Sequence, residues 1–299
     1  MNKIHFITGK GGVGKTFHSL ALSQHLATQE PHENILIIEV QNTQHCLKQL
    51  KVDLKPTGNT ITTLNNNLHY CYLDFNKCFQ EYLSLMLSLG QNQKLLGKLT
   101  STIRNEFAQK IIKNKAINSF IHACPGLKPT SLLGKIYFEY TLNKWKHIIV
   151  DCPATGHFKQ LISSTMAMKE LFPIGPIHRQ AKAIENVLRN DSEISIISLA
   201  EELPLKEAHE LKQELKEKFS LNSEIKINKH EHSSLSLDNS TELPLDLKNE
   251  ILKKNNQRSL LEAFINNHSL TKLQCFPHLT MKEINGFKNS LDRHWKFSS

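Results

Sequence analysis

Apolar residues along the chain gather into short runs of strand length, Asn34 to Val40 nearly continuous, separated by longer stretches with helical spacing. Such an arrangement predicts strands buried on both faces alternating with covering helices. The runs are Lys3-Ile4-His5-Phe6-Ile7-Thr8, Asn34 to Val40, Trp145-Lys146-His147-Ile148-Ile149-Val150-Asp151, Glu193 to Leu199 and Glu224 to Asn228. Phe17 to Ala27 carries apolar residues at 20, 22, 26 and 27, compatible with a helix packed on a sheet. Gln41 to Asn67 is polar, with Pro56, Gly58 and an Asn65-Asn66-Asn67 run, and reads as loop with one short helix at 44 to 50. From Phe75 to Asn143 the spacing is helical: Phe79 to Leu87, Ile103 to His122, a break at Cys124-Pro125-Gly126, then Ser131 to Leu142. Pro204 to Phe219 is a charged amphipathic helix whose proline suits its first turn. Lys229 to Asp246 is a polar, Ser-rich loop, followed by a helix at 257 to 266, a strand at 271 to 276 and a last helix from about 280. The expectation is an α/β chain, 1–299 as one domain, with a mostly parallel sheet and helices on both faces. A helical insertion at about 74–144 and a C-terminal helix at about 280–297 complete it.

One stretch gives this pattern a chemistry. Gly9-Lys10-Gly11-Gly12-Val13-Gly14-Lys15-Thr16 fits the phosphate-binding pattern G-x-x-x-x-G-K-S/T, between a strand and a helix. Glycine backbone can wrap an anion with its N–H groups while the helix beginning near Phe17 presents its positive end. Lys15 can reach β- and γ-phosphates, and the Thr16 hydroxyl can ligate Mg²⁺. Asp151 ends its strand in the position of a second, water-mediated Mg²⁺ ligand, and Asp151 to Gly156 closes a D-x-x-x-x-G loop able to sense a γ-phosphate through backbone N–H groups. The fold class is therefore a P-loop NTPase, with ATP and Mg²⁺ the expected ligands.

Composition narrows the picture further. No run of 18 apolar residues exists and the first strand starts at Lys3, so neither a membrane span nor a signal peptide is expected, and the location is cytoplasmic. Six cysteines (46, 71, 78, 124, 152 and 275) have no C-x-x-C spacing and read as reduced thiols rather than a shared arsenite site. The net charge of +9 is spread through every segment, which argues against a nucleic-acid groove. His230-Glu231-His232 reads as solvated loop histidines rather than a metal pair.

Taken together, Gly9 to Thr16, Ile38-Glu39-Val40, Gly134 to Glu139 and Val150-Asp151-Cys152-Pro153-Ala154-Thr155-Gly156-His157 make the chain resemble the ArsA/guided-entry ATPases, in particular their bacterial anion-transporting ATPase-like branch. Ser198 to Pro204 resembles that family's loop beside adenine, and Asn228 its adenine-contacting asparagine. The likeness runs from residue 1 to about 228, and more loosely to the end. It implies that Lys10, directly after the first glycine, reaches across a nucleotide-dependent homodimer to the partner's nucleotide. It also implies a switch I Asp that positions the attacking water. Here that Asp falls on Gln41 or Asn42, and an amide can orient a water but cannot take its proton, so slow hydrolysis is expected.

The leading expectation is an ATPase switch controlling a protein client. The alternatives are a nucleotide-binding interaction module that does not hydrolyse, and a MinD/ParA-like positioning factor. Met281, Ile284, Phe287, Leu291 and Trp295 form an apolar stripe beside Lys282, Lys288, Arg293 and Lys296, which would suit peripheral contact with an anionic membrane. Packing against the sheet is the favoured role for that stripe, since Gly286 weakens a helix that must form alone.

Overall fold

The computed structural model describes residues 2–40, 44–90, 126–230, 245–267 and 274–275. Gln41, Asn42, residues 91–125, the polar loop 231–244 and the last helix from about 280 lie outside them. The strands are β1 (Lys3–Gly9), β2 (Ile35–Glu39), β3 (Thr62–Thr63), β4 (Leu68–Tyr72), β5 (His147–Asp151), β6 (Ser192–Leu199), β7 (Glu224–Asn228) and β8 (Gln274–Cys275). They form one sheet in the order β3-β4-β2-β5-β1-β6-β7-β8. Among the described strands only β3 runs antiparallel to its neighbour. The described helices are α1 (Lys15–Gln29), α2 (His45–Leu50), α3 (Phe75–Gly90), α4 (Leu127–Thr141), α5 (Thr155–Leu171), α6 (Pro176–Asn190), α7 (Glu202–Phe219) and α8 (Leu245–Asn267). This is the expected α/β architecture.

The apolar runs are explained by burial on both sides of the sheet. Successive side chains of a strand point to opposite faces. Ile4 and Phe6 of β1, Leu36 and Ile38 of β2, and Ile148 and Val150 of β5 enter one core with Leu132, Leu133 and Ile136 of α4, Phe158 and Ile162 of α5, and Leu211 of α7. Ile7, Ile35, Ile37 and Ile149 enter the other core, with Leu20 and Leu22 of α1 and Cys46 and Leu47 of α2. The fully buried parallel strands thus need helical cover on each face, and the intervening helices supply it.

Three features depart from the expectation drawn from spacing. Leu68–Tyr72, not foreseen as a strand, pairs in parallel along the whole of β2. Residues 155–190, for which no element was foreseen, form α5 and α6. α8 begins at Leu245 rather than near 257. The two described ends of the stretch 74–144 lie in the helical layer itself: α4 contributes to the main core, and Phe79, Tyr82 and Leu83 of α3 pack with Leu127, Met168 and Ala181.

Candidate nucleotide site

β1 sits at the middle of the sheet with β5 and β6 on either side, so the loop leaving its carboxyl end emerges where an open α/β sheet forms its ligand crevice. Glycine is required at two points of that loop. Gly9 has φ +149°, and a Cβ there would stand 2.1 Å from the Ile197 carbonyl oxygen. Gly14 has φ +97°, and its Cβ would stand 2.3 Å from Asn228 Nδ2. A side chain at either position meets both a disfavoured backbone region and a solid neighbour.

Behind the loop, α1 carries Thr16 and Ser19 three residues apart, on one face of the helix. Thr16 Oγ1 donates to Asp151 Oδ2 at 2.7 Å, and Ser19 Oγ donates to Asp151 Oδ1 at 3.1 Å. Burial raises the Asp151 carboxyl to about 6, against the pull of the Thr16 hydrogen bond, and the nearby Glu39 charge adds to the rise. Burial lowers Lys15, opposed by the Asp151 charge. Lys15 Nζ donates to the Lys10 carbonyl at 3.0 Å, so its ammonium lies over the loop.

Glu39, at the carboxyl end of β2, is paired in register with Asp151 on β5. Its carboxylate accepts from the backbone N–H of His45 (2.8 Å), the N–H of Cys46 (3.3 Å) and the Tyr70 hydroxyl (2.8 Å). Those two amides open α2, where helix donors have no internal partner, so Glu39 anchors the start of α2. The turn after Asp151 is tied to β1 by Thr8 Oγ1 donating to the Pro153 carbonyl at 3.0 Å and by Cys152 N–H donating to the Ile7 carbonyl at 2.9 Å.

These groups line a cleft of about 460 Å³: Gly11, Gly12, Gly14, Lys15, Thr16 and Phe17 form one wall, with Glu39, His45, Asp151, Pro153, Ala154 and His157 across from them. Val13 is buried beneath the loop, and Gly156 stands in the first turn of α5. A second cleft of about 520 Å³ opens at the carboxyl ends of β6 and β7, lined by Leu199, Ala200, Glu201, Asn228, Lys253 and Gln257 among others. Asn228 joins it to the phosphate-binding loop, because its Nδ2 donates to the Val13 carbonyl at 2.8 Å.

Lys10 does not point into the phosphate cleft. Its Nζ pairs with Glu207 Oε1 of α7 at 2.8 Å within the same chain. Gln41 and Asn42 lie outside the described residues, so the described backbone stops at Val40 and resumes at Gln44. Spacing alone missed Ser19, Tyr70 and Glu207. Ser19 was signalled by its position one turn beyond Thr16, whereas Tyr70 and Glu207 reach the site only through strand order and helix packing.

Cys46, Cys71, Cys78 and Cys152 are free and buried, and burial raises each thiol above its ordinary value. No cluster of three or more candidate ligands occurs among the described residues. Nor is any described helix long and apolar enough to cross a membrane.

Comparison with known proteins adds ancestry to this geometry. ATPase BagA of Mycobacterium tuberculosis is 28% identical over 230 residues, covering 71% of this chain and 61% of that protein. An Aquifex aeolicus protein provisionally named arsenical pump-driving ATPase 2 is 25% identical over 164 residues, covering 54% of this chain and 49% of that protein. The chain thus spans less than two thirds of the length of these relatives. A family model described as anion-transporting ATPase matches residues 2–180, the stretch that holds the phosphate-binding loop, Glu39, Asp151 and the turn after it. With the match covering more than half of its length, the chain belongs to the anion-transporting ATPase family.

Proposed function

We propose that the chain binds ATP with Mg²⁺ across the two clefts and hydrolyses it slowly, as a switch read by a second copy of itself and by a protein client. The observation that carries this reading is the 2.7 Å hydrogen bond between Thr16 and Asp151, which brings the start of the P-loop helix and the end of β5 to one point. Oxygen donors alone, one of them a buried carboxylate, fit a small hard cation. Thr16 and Asp151 would hold Mg²⁺, the Asp through water, and the ion supplies charge neutralisation among phosphate oxygens.

The chain's own groups divide the remaining work. The N–H groups of the loop from Gly9 to Gly14 cradle the phosphates and Lys15 adds a positive charge. The first-turn N–H groups of α5, with Gly156 leaving its approach open, face a γ-phosphate. Asn228, held by the Val13 carbonyl, borders the cleft that suits the base. Gln41 or Asn42 takes the water-positioning place in this reading, and an amide cannot accept the water's proton; the Glu39 carboxylate is held by the His45 and Cys46 N–H groups and the Tyr70 hydroxyl, and both points favour a low rate. Dimer assembly requires Lys10 to exchange Glu207 for the partner's nucleotide.

The test is ligand-dependent melting together with phosphate release. Mg-ATP at a hundredfold excess over its Kd should add about 2.7 kcal/mol to stability by mass action. Lys15→Ala should remove both that gain and the turnover. A wild-type melting curve that Mg-ATP leaves unmoved would refute the reading.

A further inference from the structure

Both oxygens of the Asp151 carboxylate are taken by hydroxyls of one helix. Thr16 Oγ1 donates to Oδ2 at 2.7 Å and Ser19 Oγ donates to Oδ1 at 3.1 Å. Ser19 is 0% exposed and Asp151 only 7%, so bulk water does not stand in for either partner. The later hydroxyls of α1 stay within their own helix: Ser23 Oγ donates to the Leu20 carbonyl at 2.8 Å, and Thr28 Oγ1 to the Gln24 carbonyl at 2.9 Å. Ser19 is the one that leaves the helix from beyond the phosphate-binding motif.

Its single hydrogen has two acceptors in reach, because the Lys15 carbonyl also lies 3.1 Å from Ser19 Oγ. That carbonyl already takes the Ser19 backbone N–H in the ladder of α1. Oδ1 has no such second donor, since Thr16 and Ser19 are the donors that reach Asp151 among the described residues. A carboxylate is also the stronger acceptor. The hydrogen therefore belongs to Asp151.

A neighbouring carboxylate gives this bond a task. Glu39 stands in register beside Asp151 on the adjacent strand, and both line the phosphate cleft. Glu39 is drawn away toward α2 and Tyr70 by the His45 and Cys46 N–H groups and the Tyr70 hydroxyl. Its charge still presses on Asp151. A carboxylate under that pressure needs a hold on each oxygen to keep one orientation.

We propose that Ser19 is a positioning residue for the metal: by holding Oδ1 it keeps Oδ2 turned to Thr16, the direction from which the pair would serve Mg²⁺. This rests on the nucleotide reading given above. Thr16 can give its hydrogen to Oδ2 and still offer a lone pair to the ion, whereas Ser19 works only through Asp151. Without Ser19, Oδ1 is a buried acceptor with no donor, and the carboxylate turns to share the Thr16 hydrogen or to approach the Lys15 charge. Removing such an outer partner of a metal ligand typically weakens metal binding about 10- to 100-fold.

The experiment is thermal melting of the full chain with a saturating non-hydrolysable ATP analogue, titrated with Mg²⁺ after EDTA treatment. Wild type is compared with Ser19→Ala and Ser19→Cys. Cysteine fills the space of serine but its S–H is a weak donor, so it separates the lost bond from the lost atom. Both variants should need about 10- to 100-fold more Mg²⁺ for half of the metal-dependent gain in melting temperature. The shift produced by the analogue in EDTA should match that of wild type. Variants that melt lower throughout but keep a Mg²⁺ midpoint within about twofold of wild type would overturn the proposal and leave the nucleotide reading standing. A wild-type midpoint in Ser19→Cys alone would also overturn it, since filling the space would then suffice. A wild type whose melting answers neither the analogue nor Mg²⁺ overturns the nucleotide reading itself, and this proposal with it.

Discussion

Replacing Gly14 by alanine should destabilise the protein by about 2–5 kcal/mol, and the size of the effect should depend on a residue 214 positions away. Gly14 sits at φ 97°, ψ 26°, the left-handed region, which costs a residue with a Cβ about 1–2 kcal/mol. The added Cβ would also stand 2.3 Å from Asn228 Nδ2, so the amide must leave. Its departure breaks the 2.8 Å bond to the Val13 carbonyl inside the fold, at about 1–3 kcal/mol. Asn228→Ala alone loses the same bond and should cost that same second amount. In the double variant the bond is already absent and the alanine at 14 adds only its backbone strain. The two single effects should therefore overshoot the double by about 1–3 kcal/mol, the shared bond being counted twice. Urea unfolding of the four proteins without nucleotide measures this directly. If the single effects add to within about 0.5 kcal/mol, the loop and β7 are not coupled through Asn228 and the reasoning fails.

Two further outcomes follow from contacts around the site. Glu207→Gln removes the charge that holds Lys10 within its own chain, and should raise the fraction of ATP-dependent dimer seen by sedimentation or light scattering while Lys10→Ala lowers it; if neither changes assembly, Lys10 has no role between copies. Tyr70→Phe strips the hydroxyl donor from the buried Glu39 carboxylate and should cost about 1.5–3 kcal/mol in thermal or urea unfolding, with turnover reduced more than ATP binding. Unchanged turnover in a stable Tyr70→Phe protein would show that the grip on Glu39 does not reach the chemistry.

What could be read from the chain alone was whatever is written contiguously. The phosphate-binding loop is such a feature, because its backbone conformation, glycine positions, lysine and hydroxyl all belong to eight successive residues. So are the strands of the sheet's centre, whose apolar runs leave no exposed face and so imply helices on both sides. β4 escaped notice because Leu68-His69-Tyr70-Cys71-Tyr72 mixes polar with apolar residues and follows three asparagines; it becomes a strand by pairing along β2.

The site's working contacts belong to the second kind of information. Thr16 meets Asp151, Lys10 meets Glu207, His5 meets His147 and Val13 meets Asn228 across separations of 135, 197, 142 and 215 residues. Periodicity states which way a side chain faces, but not which strand lies next to it or in what register. Those are decided when β1 is inserted between β5 and β6, and a shift of one residue there would leave His5 and Glu193 on opposite faces of the sheet.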